Sequence, residues 1–100
     1  MRASASAIAG LAGSALLLLA PTPAVAAQCA QRPVEARGEA SRYETLAKLK
    51  ARGNWRAKVR AMPDLGAAYA NWSKAAGADY RCSQSHGDFV CVAVATPCRD

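Results

Sequence analysis

The chain has one histidine, His86, one phenylalanine, Phe89, and six aromatic side chains in 100 residues. It contains no Cys-x-x-Cys pair, no Gly-rich phosphate loop, no paired-carboxylate motif and no dinucleotide fingerprint. Without Cys-x-x-Cys at a helix start, a thioredoxin-like redox role has no motif to rest on. Without a phosphate cradle, nucleotide-dependent chemistry has none either. No heptad run and no internal repeat occurs, which excludes coiled-coil and solenoid architectures. The remaining apolar run, Ile8 to Ala20, is 13 residues long. A helix needs about 20 to span a bilayer, so this run is too short.

What is present at the start has the layout of a secretory signal peptide. Arg2 precedes the apolar run, Pro21 and Pro23 break it, and small residues follow up to Ala26 and Ala27. Ala24 and Ala26 satisfy the small-x-small rule for cleavage after Ala26, which makes residues 1–26 a signal peptide and residues 27–100 one mature domain. No twin-arginine pair is present, and Gln28 stands before Cys29 where a lipoprotein signal needs a small residue. Sec-type export to a bacterial periplasm, or out of the cell, is the expectation. A domain of this size buries only about 60% of the surface its unfolded chain exposes, so its core needs staples. All four cysteines, Cys29, Cys82, Cys91 and Cys98, lie in the mature part. In a short exported chain an even count reads as a disulfide framework.

Along the mature chain, residues 28–33 read as an irregular tether held by Cys29. The stretch EARGEASRYETLAKLKAR, Glu35 to Arg52, is rich in helix formers. It places Tyr43, Leu46, Ala47 and Leu49 on one stripe, whereas Trp55, Val59 and Met62 form a second stripe on nearly the opposite side of a straight cylinder. One straight helix cannot bury both against one surface, so a kink or interruption is expected at Gly53 and Asn54, with the helical region ending near Ala61 before Pro63. Residues 64–74 admit two readings: a second helix capped by Asp64, or a first strand with Tyr69, Asn71 and Ser73 alternating against Ala68, Ala70 and Trp72. The strand is preferred, because two strands alone are marginal. Two strands follow in ADYRCS and DFVCVAVAT. The second is apolar on both faces, which calls for cover by the helix on one side and by the tether or an oligomer partner on the other. The six aromatics, Tyr43, Trp55, Tyr69, Trp72, Tyr80 and Phe89, are expected in the core. The fold class is α+β: a helical region packed on a small antiparallel sheet of two to three strands, with two disulfides.

The segment CSQSHGDFVC carries the densest chemistry. With His86 and Gly87 at the centre of a tight turn, Ser85 faces Asp88, Gln84 faces Phe89, Ser83 faces Val90, and Cys82 faces Cys91. Directly opposed residues of a non-hydrogen-bonded pair have Cα atoms about 4.5 Å apart, a separation a disulfide tolerates. Four cysteines allow three pairings; the hairpin favours Cys82 with Cys91, leaving Cys29 with Cys98. A zinc set of Cys82, His86, Cys91 and Cys98 has a spacing unlike the usual finger or ribbon patterns. Asp88, Ser83 and Ser85 crowd into the same hairpin as His86 and leave no pocket for a catalytic triad. No cofactor, metal or catalytic role is expected of this chain.

Charge order supplies the remaining signal. Between Thr45 and Pro63 stand six bases, Lys48, Lys50, Arg52, Arg56, Lys58 and Arg60, and no acid. Lys48, Arg52, Arg56 and Arg60 are four apart, so a continuous helix carries them along one side as a candidate anion-binding ridge, with Trp55 as an aromatic contact. The competing account is that acids near the start and bases near the end of a helix complement its macrodipole. With Arg2 gone, 12 Lys plus Arg face 7 Asp plus Glu, a net of +5. Anionic envelope surfaces or an exported protein are the expected partners, with no specific nucleic-acid role, and the oligomeric state is open.

Trp55, Val59, Gly66, Tyr69, Trp72, Cys82, Cys91, Ala93, Ala95, Pro97 and Cys98 together resemble a pattern in small exported proteins of proteobacteria. In that pattern a helix carrying Trp and Val leads to Gly, an aromatic-x-x-Trp segment, a Cys, a tight turn and a final strand ending in Pro-Cys. MPDLG departs from its shorter aromatic-Gly helix ending. The resemblance covers about half the chain. It implies a helix followed by a small antiparallel sheet and brings no established activity. A non-enzymatic binding or envelope-associated module is therefore the expectation, with an inhibitor of an exported hydrolase as the alternative.

Overall fold

The computed structural model describes residues 28–100; the expected signal peptide lies outside the described residues. The order is β1 (Gln28–Cys29), β2 (Val34–Arg37), α1 (Glu44–Ala61), two single turns of 3-10 helix (Ala67–Tyr69 and Trp72–Lys74), β3 (Ala76–Ser85), β4 (Asp88–Thr96) and β5 (Cys98–Arg99). β2, β4 and β3, in that spatial order, form an antiparallel sheet, and β1 pairs with β5. α1 lies on one face of the three-stranded sheet. The class is α+β with two disulfides, Cys29 to Cys98 and Cys82 to Cys91.

The third strand comes from before the helix, not from residues 66–75. Val34 and Ala36 are buried while Glu35 and Arg37 are exposed, the period of a half-buried strand. Its ladder to β4 pairs Val34 with Ala95 and Ala36 with Ala93. Main-chain pairing with β4 continues past β2 through Gly38 and Ser41, which bond Cys91 and Phe89, so the helix starts at Glu44 rather than Glu35. Residues 66–75 are diverted into turns instead. Gly66 takes a φ of 77°, and the Asn71 side chain accepts from Ser73 N at 3.0 Å, closing a local turn that competes with a ladder.

α1 runs through Gly53 without interruption. Its buried residues are Ala47, Ala51, Trp55 and Val59, a row with a spacing of four. Tyr43, Leu46 and Leu49 remain exposed, so Tyr43 is not a core residue and no second stripe has to be buried. Small residues face small residues across the layer: Ala47 and Ala51 against Ala36, Ala93 and Ala95. Gly38 sets the approach distance, since a Cβ there would stand 2.4 Å from Ala51 N. Nothing lies within 4 Å of a Cβ built at Gly53, whose φ is not in the left-handed region. Gly53→Ala is therefore expected to raise stability by about 0.5–1 kcal/mol in urea unfolding.

Trp55 is the largest side chain in the core, fully buried, with Nε1 donating to Val34 O at 3.1 Å and Ala95 O at 3.2 Å. Trp72 meets it edge-on at 5.1 Å and stacks on Tyr80 at 5.2 Å. Together with Tyr69 and Phe89 these rings are partly buried against the core.

On the other sheet face Val90, Val92 and Val94 are half-buried. The tether does not cover them: Cys29 pairs with Cys98, and Ala30 N donates to Pro97 O beyond the end of β4. Glu35 flanks Val94, Arg81 flanks Val92, and their ion pair at 3.0 Å reaches across β4 on this face.

Residues between β2 and α1 are held by polar contacts. Asn54 Nδ2 donates to Arg37 O at 2.8 Å and to the Glu39 carboxylate at 3.4 Å. The Glu39 carboxyl is held below its ordinary range, first by its backbone hydrogen bond and then by Asn54, with Lys50 adding a smaller attraction. A lowered folded pKa contributes stability above the unfolded value, about 4.3, that is lost as pH falls through the folded one. Wild type should thus lose more stability between pH 6 and pH 3 than Glu39→Gln, as read from urea midpoints at each pH.

Candidate functional site

The stapled hairpin forms with the expected register. Ser85 pairs with Asp88, Gln84 with Phe89, Ser83 with Val90 and Cys82 with Cys91. His86 and Gly87 have φ of 53° and 85°, the two positive values a type I′ turn requires. The Cys82 and Cys91 Cα atoms are 4.0 Å apart. All four cysteines are engaged in disulfides, which consumes the thiolates of the rival zinc set. His86 stands exposed at the tip of the turn, with Ser83 and Ser85 exposed on the strand behind it.

Continuity of α1 through Gly53 gives the basic row its geometry. Lys48, Arg52, Arg56 and Arg60 are borne by one straight helix and drift slowly around it, since four residues advance the angle by about 400°. The row starts beside the sheet-facing stripe and ends on the solvent side: Lys48, Arg52 and Arg56 are half-buried and Arg60 is exposed. It lies on the β3 side of the helix, where Lys48 Nζ stands 5.8 Å from the centre of the Tyr80 ring. Lys48 also pairs with Glu44 at 3.8 Å. Among the described residues Arg52, Arg56 and Arg60 make no ion pair. Arg52 Nε is out of contact with solvent and meets no acceptor among them, so this side chain lies along the protein surface with its stem packed.

The other two bases do structural work on the opposite flank. Lys58 Nζ donates to Glu35 O at 2.8 Å and Lys50 Nζ to Ala40 O at 3.3 Å. With Asn54 they cap the outer carbonyls of β2 and of the segment leading to α1. The macrodipole account covers Glu44 in the first turn and Lys58 and Arg60 in the last. It leaves Lys48, Arg52 and Arg56 unexplained, because the dipole acts within a turn of either end.

Trp55 is not the aromatic partner of the row, since it is fully buried. The half-buried Trp72 and Tyr80 take that place, stacked with an interplanar angle of 29° next to Lys48. Their sequence signal was an aromatic in a turn and another in a strand, eight residues apart, and their contact is a product of the fold that spacing alone does not show. A flat aromatic pair beside a file of cations can hold an anionic group against the file and an apolar or ring-shaped neighbour against the stack.

No helix among the described residues is long and apolar enough to cross a membrane. Two disulfides place the folded chain in an oxidising environment. Comparisons with protein-family models, curated proteins and solved structures found no match.

Proposed function

We propose that this is an exported, non-enzymatic module that binds anionic envelope material, such as phospholipid or lipopolysaccharide surfaces, through the row Lys48, Arg52, Arg56 and Arg60. The observation that carries the reading is a file of cations on one helix, three of them without an acid among the described residues, whose first member, Lys48, stands beside the Tyr80 ring of the Trp72 and Tyr80 stack. A net charge of +5 after loss of the signal peptide draws the protein to such surfaces. The signal-like start and the disulfides support a periplasmic or secreted location. The exposed position of His86 at a turn supports a binding rather than a catalytic role.

The test is retention on vesicles containing anionic lipid. Wild type should be retained at low salt and released as salt rises, and Arg52→Gln, Arg56→Gln and Arg60→Gln together should cost at least tenfold in apparent affinity, about 1 kcal/mol for each charge near the surface. Equal retention of the triple variant would overturn the reading.

One feature favours the alternative, inhibition of an exported hydrolase. The exposed turn Ser85 to Asp88 is stapled three positions behind Ser85 by Cys82 and Cys91, a loop held in a single shape before any partner arrives. That reading requires a stoichiometric complex with a protease or lysozyme that survives high salt and is lost on changing the turn residues.

A further inference from the structure

The two edges of the three-stranded sheet are treated differently. The β2 edge is capped: Lys58 Nζ and Asn54 Nδ2 bond the carbonyls of Glu35 and Arg37. β3 is the other edge, ten residues long, and no side chain among the described residues donates to or accepts from its outer main chain. An uncovered edge of that length is a template for another strand.

The register says which groups face outward. Phe89 exchanges main-chain bonds with Ser41 at 2.9 and 2.7 Å, and Cys91 O accepts from Gly38 N at 2.9 Å. At positions 89 and 91, β4 therefore turns its polar groups toward β2 and away from β3. Their partners Gln84 and Cys82, and by alternation Tyr80, turn theirs to the free edge. The regular part of β3 is bounded by the irregularity between Ala76 and Asp79 at one end and by the turn after Ser85 at the other. Cys82 is the midpoint of that segment.

We infer that β3 pairs with β3 of a second copy of this chain, antiparallel about a two-fold axis at Cys82, to form a six-stranded sheet. In this register Tyr80 lies opposite Gln84, Cys82 opposite Cys82, Arg81 opposite Ser83 and Asp79 opposite Ser85. No charge stands directly opposite a like charge; Arg81 and its copy are diagonal neighbours, and each keeps the Glu35 carboxylate of its own chain as counter-charge. Shifting the axis to Arg81 would set Arg81 against Arg81, and shifting it to Tyr80 would run the ladder into the irregular residues before Asp79. The Cys82 register offers roughly six main-chain hydrogen bonds, two for each of three hydrogen-bonded pairs. Both helices then lie on the same face, with axes about four strand spacings apart, roughly 19 Å. Because the basic row is on the β3 side of α1, the two rows face each other across the dyad. The inference rests on the strand edge alone and stands whether or not the rows bind lipid.

Sedimentation equilibrium and amide exchange on the oxidised protein test it. Concentrated protein should have twice the chain mass, with the Tyr80, Cys82 and Gln84 amides protected, and dilution should release those three while the Arg81 and Ser83 amides, bonded to β4, stay slow. Gln84→Pro removes an outward N–H without touching the bonds to β4, and should give a monomer with wild-type circular dichroism. A protein that is monomeric up to millimolar concentration would overturn the inference. So would a dimer in which the Tyr80, Cys82 and Gln84 amides exchange as fast as in dilute solution. The exchange measurement needs no variant, so the result does not depend on the proline variant folding.

Discussion

Trp55→Ala is expected to leave the protein at or below the threshold of folding. Removing a fully buried indole costs about 3–5 kcal/mol in transfer and cavity terms. Natural domains hold only about 5–15 kcal/mol in total, and small ones sit at the low end. The carbonyls of Val34 and Ala95 also lose the Nε1 donor that ties β2 to β4 from the helix side. Much of the surrounding core is alanine, at Ala36, Ala47, Ala51, Ala93 and Ala95, which cannot extend into the void, and Trp72 loses its edge-on partner. Trp55→Phe separates the two contributions, since it keeps most of the apolar volume and deletes the donor; a loss of about 1–2 kcal/mol is expected. Urea unfolding followed by far-UV circular dichroism reads both. A Trp55→Ala midpoint close to wild type would mean that the helix does not dock through this residue.

Removing the two disulfides should have unequal effects. By chain entropy alone, crosslinking the roughly seventy residues from Cys29 to Cys98 is worth about 4.4 kcal/mol, and the roughly ten from Cys82 to Cys91 about 2.7. The native contacts sharpen the ranking. β1 and β5 pair over only two residues each, so without the covalent link little holds the amino terminus to the end of β4. The β3 and β4 ladder runs from Asp79 to Ser85 opposite Val94 to Asp88, and this ladder and its type I′ turn remain when Cys82 and Cys91 become Ala. The double variant Cys29→Ala, Cys98→Ala should therefore unfold at lower urea than Cys82→Ala, Cys91→Ala. The reverse order would show that the hairpin depends on its staple for more than loop entropy.

The parts of this fold that could be read from the chain are those decided by neighbours in sequence. The hairpin is one: strict alternation around His86 and Gly87 determines register, and register determines which cysteines meet. The parts that escaped depend on how closely two layers approach. β2 is four residues long and gains its strand character from pairing with β4. The buried stripe of α1 was hidden because two of its four members are alanines, while the larger Leu46 and Leu49 remain exposed. Weighting large side chains placed a kink at Gly53 that a close-packed alanine interface does not need. Gly38, which permits that approach, carries no turn signature of its own.

The candidate site divides in the same way. Spacing alone put Lys48, Arg52, Arg56 and Arg60 in one row. It could not separate them from Lys50 and Lys58, because that division depends on which flank of the helix the β2 edge occupies. Nor could it show that Trp55 is enclosed and that Trp72 and Tyr80 stand in its place.

Local geometry, rather than overall charge, is the central claim of the binding account, and one comparison isolates it. Arg52, Arg56 and Arg60 changed together to Gln lose three charges from the row. Arg32, Arg37 and Arg99 changed to Gln lose the same number from exposed positions on the tether, on the sheet face opposite the helix, and on β5. Vesicle affinity measured against salt concentration should fall at least tenfold and lose much of its salt dependence in the first variant, and should stay within a few fold of wild type in the second. Equal losses in both would show that net charge alone draws the protein to the surface and that the row on α1 is not a site.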